Sequence, residues 1–101
     1  MHLIQILLPL QDNEGAPFNP DLYREVREEL SSRYGGLTAF TRAPAEGYWE
    51  DDGKTTRDEI VVFEVTAEEL ATSWWRDYRR RLERVFRQDV IVIRAQKIQL
   101  L

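Results

Sequence analysis

The chain has 101 residues, enough to bury one core and too few for separate catalytic and cofactor domains. An apolar share of 43% with 32% charged residues excludes a disordered chain, and a formal charge of -4 excludes nonspecific nucleic-acid binding driven by the overall field. There is no Cys, hence no disulfide or thiolate site, and the lone His2 has no partner at ligand spacing, so neither metal nor cofactor is expected.

Taken in chain order, the Ile- and Leu-rich run from His2 to Leu8 predicts a first strand, ended by Pro9 and the polar turn Asp12-Asn13-Glu14-Gly15. It has neither a basic leader nor the length to span a bilayer, so no membrane association is expected and a cytoplasmic location follows by default. Asn19-Pro20-Asp21 reads as a helix start, since the Asn side chain can accept orphan N–H groups and Pro loses nothing at the first helical position. Leu22, Val26 and Leu30 recur at helical spacing, and Gly35-Gly36 ends the helix.

Leu37 to Thr41 begins a second strand, bent near Pro44. Asp52-Gly53 is a hairpin signal joining the Tyr48-Trp49-Glu50 arm to the strongly β-prone run Ile60 to Val65. Thr66-Ala67-Glu68-Glu69 has the form of a capping box, which predicts a second helix starting there, with Leu70, Trp74, Tyr78, Leu82, Val85 and Phe86 as its apolar stripe. Adjacent Trp74 and Trp75 point roughly 100° apart, which puts Trp75 at the stripe's margin, against an Arg side chain. The basic run Arg76, Arg79, Arg80, Arg81 and Arg84, diluted by Asp77 and Glu83, reads as a solvated, salt-bridged face. Asp89 to Ile98 supplies the last strand.

This order predicts a single α+β domain over residues 1–101, a ferredoxin-like βαββαβ arrangement with a four-stranded antiparallel sheet and two helices on one face. Strand parity divides the sheet. Ile4, Ile6, Leu8, Phe40, Val61, Phe63, Val65, Ile91, Ile93 and Ala95 fall on the face that the helices cover. Leu3, Gln5, Leu7, Leu37, Ala39, Thr41, Ala43, Ile60, Val62, Glu64, Val90, Val92, Arg94 and Gln96 fall on the other. The second face is too apolar for water, so the sequence predicts a homodimer or higher homo-oligomer through sheet faces or edges.

Gln5, Thr41, Glu64 and Arg94 are polar positions within that face. Arg94 can bind an anion and Glu64 can accept a proton, which makes a small-molecule pocket one reading; an ion pair fixing the dimer register is the favoured one. Arg42, Glu46, Tyr48 and Trp49 on the hairpin arm add candidate ligand contacts, with interface packing as the alternative. The candidate ligand-binding set is therefore Arg42, Glu46, Trp49, Glu64 and Arg94, with no catalytic residue assigned. No phosphate-binding glycine loop, nucleophile elbow, metalloprotease motif or aromatic RNA-reading signature is present.

Gly35-Gly36-Leu37-Thr38-Ala39-Phe40, Gly47-Tyr48-Trp49 and Phe86 to Val92 resemble a family of small uncharacterised bacterial proteins of ferredoxin-like fold. That resemblance implies the fold over most of the chain and carries over no catalytic residue. At fold level the chain also resembles the dimeric α+β barrel proteins, which implies an alternative: a cofactor-independent oxygenase- or isomerase-like enzyme, with Glu64 or Glu46 as acid or base and Arg42 or Arg94 holding an anionic substrate.

Overall fold

In the computed structural model the described residues are 1–51 and 53–101; side chains at 42–45, 49, 51 and 54–58 lie outside the description. The elements follow in the order β1 (His2–Pro9), α1 (Pro20–Tyr34), β2 (Thr38–Asp51), β3 (Lys54–Ala67), α2 (Thr72–Val85) and β4 (Val92–Lys97). The sheet is antiparallel, in the order β2-β3-β1-β4, with the first strand central as in a ferredoxin-like arrangement. Between Phe40 and Ala45 the β2–β3 register shifts. That irregularity divides β2 into two arms, so the expected count of four strands becomes five strand segments.

Helix α1 starts and stops where its chemistry requires. Asn19 Oδ1 accepts the Asp21 N–H at 3.0 Å, Pro20 occupies the first turn, and Gly35 closes the helix with φ of 76° while its N–H reaches Ser31 O at 2.8 Å. Val26 and Leu30 are buried and Leu22 packs beside them.

Helix α2 departs from expectation. Strand β3 continues to Ala67, with Thr66 opposite Leu3 and Ala67 opposite His2, and the helix begins at Thr72 with Ala71 as a cap that makes no side-chain hydrogen bond. The capping box is not formed, because its first two residues complete the ladder with the central strand, and a surface cap worth about 1 kcal/mol does not compete with that pairing. The apolar stripe is correspondingly Trp75, Tyr78, Leu82 and Phe86; Leu70 and Val85 are exposed. The two tryptophans exchange their expected places. Trp75 is in the core, and it is the half-buried Trp74 that lies under the Arg33 guanidinium, 4.0 Å from its ring centre.

Ile4, Ile6, Leu8, Val61, Phe63 and Val65 meet both helices in one core, so both helices lie on one face of the sheet. Phe63, Phe86 and Leu30 are among its fully buried side chains, and Phe18 stands edge-on to Phe86 at 5.1 Å. Asp51 pairs with Lys54 across the hairpin turn, where Gly53 takes φ of 75°. Strand β1 pairs with β3 only from Ile60 onward, so Ala45–Asp51 and Lys54–Glu59 form a two-stranded ribbon that runs past β1.

Candidate functional site

Residues opposite one another in an antiparallel ladder share a face, so the registers fix what stands on the side away from the helices. Gln5 is opposite both Glu64 and Arg94, Leu7 opposite both Val62 and Val92, and Leu3 opposite Thr66 and Gln96. On β2, Thr38 is opposite Glu64 and Phe40 opposite Val62. Two rows therefore cross all four strands side by side. One is apolar, Phe40–Val62–Leu7–Val92, and the other polar, Thr38–Glu64–Gln5–Arg94.

Among the described residues no helix covers the apolar row. Phe40 is 51% exposed and Leu7, Val62 and Val92 are half-buried, while Val90, two residues before Val92, is 71% exposed. Within the polar row, Gln5 Nε2 donates to Glu64 Oε2 at 2.6 Å and Arg94 Nε donates to Gln5 Oε1 at 2.8 Å. Only this orientation of the amide satisfies both neighbours, since a carboxylate only accepts and a guanidinium only donates. Gln5 thus links the two charged residues that the sequence singled out, where direct contact between Glu64 and Arg94 had been one expectation.

Strand β2 has the opposite parity to that expected. Phe40 belongs to the open face rather than the core, and Ala39, opposite Phe63, and Leu37, packed against the core, belong to the helix side. Thr41 is exposed and Thr38 takes the place beside Glu64 that had been given to it. The reason is physical: β2 has mixed residues on both parities, so its ladder with β3 decides its facing.

Glu46 lies on the ribbon, where it accepts the Tyr48 hydroxyl at 2.7 Å, both residues being exposed. The side chains of Arg42 and Trp49 are outside the described residues. Glu64 lines a small cleft of about 110 Å³ with Leu3, Leu37 and Thr38, whereas Arg94 stands at the rim of a separate cleft of about 300 Å³ between α2 and β4. The sequence reading missed this second cleft, which Trp75, Arg76 and Arg79 line. Its signal was the spacing of Trp75, Tyr78, Leu82 and Phe86, which turns Trp75 inward as well as the chosen stripe turned Trp74.

The Asp12 segment is a turn. Asp12 Oδ1 accepts the N–H groups of Ala16 and Glu14, each at 2.9 Å, and these bonds hold its carboxyl below the usual carboxylate value. Among the described residues no group of three or more His, Cys, Asp or Glu side chains is placed to hold a metal, and no helix is long and apolar enough to cross a membrane.

No family model matches the chain, and no curated protein matches it. Among solved structures it is similar to a point mutant of CutA1 from Pyrococcus horikoshii OT3, at 14% identity with a TM-score of 0.62, over 100% of this chain and 86% of that one. It is also similar to a phage SAM lyase in complex with S-methyl-5'-thioadenosine, at 12% identity with a TM-score of 0.61, over 95% of this chain and 80% of that one. The same lyase in its apo state gives a TM-score of 0.58 at 13% identity, over 94% and 78% of the two chains. These likenesses are of fold; the fold they share with this chain is the α+β ferredoxin-like one.

Proposed function

We propose that the chain is a homodimeric binding or interaction module in which a second copy covers the open face of the sheet. The observation that carries this reading is the apolar row Phe40–Val62–Leu7–Val92 beside a polar row whose charges are already oriented. A strip of this kind, left to water, loses the hydrophobic stabilisation of about 25 cal/mol per Å² that burial supplies.

The pattern supports a second copy as the occupant. Strand β1 is flanked by β3 on one side and β4 on the other. A twofold axis parallel to β1, between two stacked sheets, lays β1 on β1 and exchanges β3 with β4. Leu7 then meets Leu7 of the partner subunit, Val62 meets the partner's Val92, and Glu64 meets the partner's Arg94. Apolar groups face apolar ones and opposite charges face each other in the same register.

A charge exchange tests the reading. Glu64→Arg puts two guanidinium groups together and should weaken association about tenfold in sedimentation equilibrium, and adding Arg94→Glu should restore it to within about threefold. Equal association in the wild type and Glu64→Arg, or no recovery in the double variant, would contradict it.

A further inference from the structure

We infer that the cleft between the first turn of α2 and strand β4 is a binding site for a small carboxylate with an apolar body. It lies on the helix side of the sheet, away from the face given to the second copy, and so stands independently of that reading.

The cleft has about 300 Å³, at the lower end of the range for small-molecule sites. Ile4, Ile93, Ala95 and Leu70 give it an apolar lining, and Arg76 and Arg79 bring two guanidinium groups to it; none of the described residues lining it is acidic. Thr72, the first residue of α2, also lines it. This helix has 14 residues, no acidic residue in its first turn and no side-chain cap, so the positive end of its dipole is uncompensated there.

A second observation points to a ligand. Trp75 is only 5% exposed, forms part of the wall, and its indole Nε1–H is buried without a hydrogen-bond partner among the described residues. Arg79 Nε is in the same condition: Glu83 Oε2 is 3.8 Å away, beyond hydrogen-bond reach, and accepts the Ile91 N–H at 3.0 Å instead. A buried donor without an acceptor costs about 1–3 kcal/mol, and here two residues of one cleft wall, beside a helix N-terminus, each carry such a donor. A carboxylate supplies charge to the arginines and an acceptor to either donor that turns outward, while its apolar body covers Ile4, Ile93 and Ala95. Arg94 is at the rim, with its Nε given to Gln5.

Benzoate, benzamide and inorganic phosphate are the probes: charge with a ring, the ring alone, and charge alone. In nitrogen–proton NMR of the isotope-labelled full chain, benzoate should shift the Trp75 indole signal saturably, about tenfold more tightly than either other probe. Trp75→Phe identifies that signal and, by removing the N–H while keeping a ring, should weaken benzoate binding as read from backbone amides. Arg76→Gln with Arg79→Gln should weaken it about tenfold while the remaining spectrum stays folded. The inference is overturned by no saturable shift with benzoate, by benzamide or phosphate binding as tightly, or by unchanged binding in the folded arginine double variant.

Discussion

Gln5 stands opposite Glu64 at the centre of the open sheet face and donates its amide N–H to the carboxylate at 2.6 Å, which leaves its amide oxygen for Arg94. One neutral side chain thereby fixes two charged ones in a single row. Gln5→Met keeps the volume and removes both bonds. It should lower stability by about 1 kcal/mol in denaturant unfolding, a modest value because the row is partly in water. An unchanged midpoint would mean that the row is held by its backbone register alone.

The inward stripe of α2 makes a second prediction. Leu82→Ala, at a site 2% exposed, should cost about 2–5 kcal/mol, and Leu70→Ala should stay within about 0.5 kcal/mol. Equal losses at both sites would favour the longer helix that a start at Thr66 implies.

Acid stability should report Asp12. Backbone N–H bonds from Ala16 and Glu14 lower its pKa from the ordinary 3.8, so the ionised form favours the folded state. That contribution is present above the unfolded-state value and is lost as pH falls through the folded-state value. The melting temperatures of the wild type and Asp12→Ala should therefore differ near neutrality and converge below about pH 4. A gap that stays constant with pH would contradict the assignment.

At the alkaline end, burial pushes the Tyr23 phenol up to about 12, and its O–H donates to the Pro9 carbonyl at 2.5 Å. A raised folded-state value means stability is complete below about pH 10 and is lost as pH rises from there through the folded value. Tyr23→Phe should reduce the fall in melting temperature over that window. Burial also raises Tyr78, so part of the fall should remain.

Much of the fold was legible because its signals are local. Asn19, Pro20 and Gly35 act on backbone groups within one turn, and the alternation in β1 and in Val61–Val65 states which face is buried. Where the sequence misled, a distant partner decided. Thr66 and Ala67 carry a capping signal but are held by Leu3 and His2, and Phe40 turns outward because Val62 sets its facing. In the site, Gln5, Glu64 and Arg94 could be grouped by parity, yet that Gln5 would be the bridge depends on the registers of two separate ladders. The cleft at Trp75 was hidden for a related reason: two adjacent tryptophans satisfy two overlapping stripes, and tertiary packing selects one.

Solution mass by light scattering over a dilution series, for the wild type and Leu7→Lys, tests the central claim most directly. Leu7 lies where the proposed twofold axis crosses the apolar row, and a lysine there would place two like charges together. The account predicts twice the chain mass of 12.0 kDa for the wild type and 12.0 kDa for a folded Leu7→Lys variant. A wild type of 12.0 kDa at every concentration, or a variant that stays as large as the wild type, would contradict it.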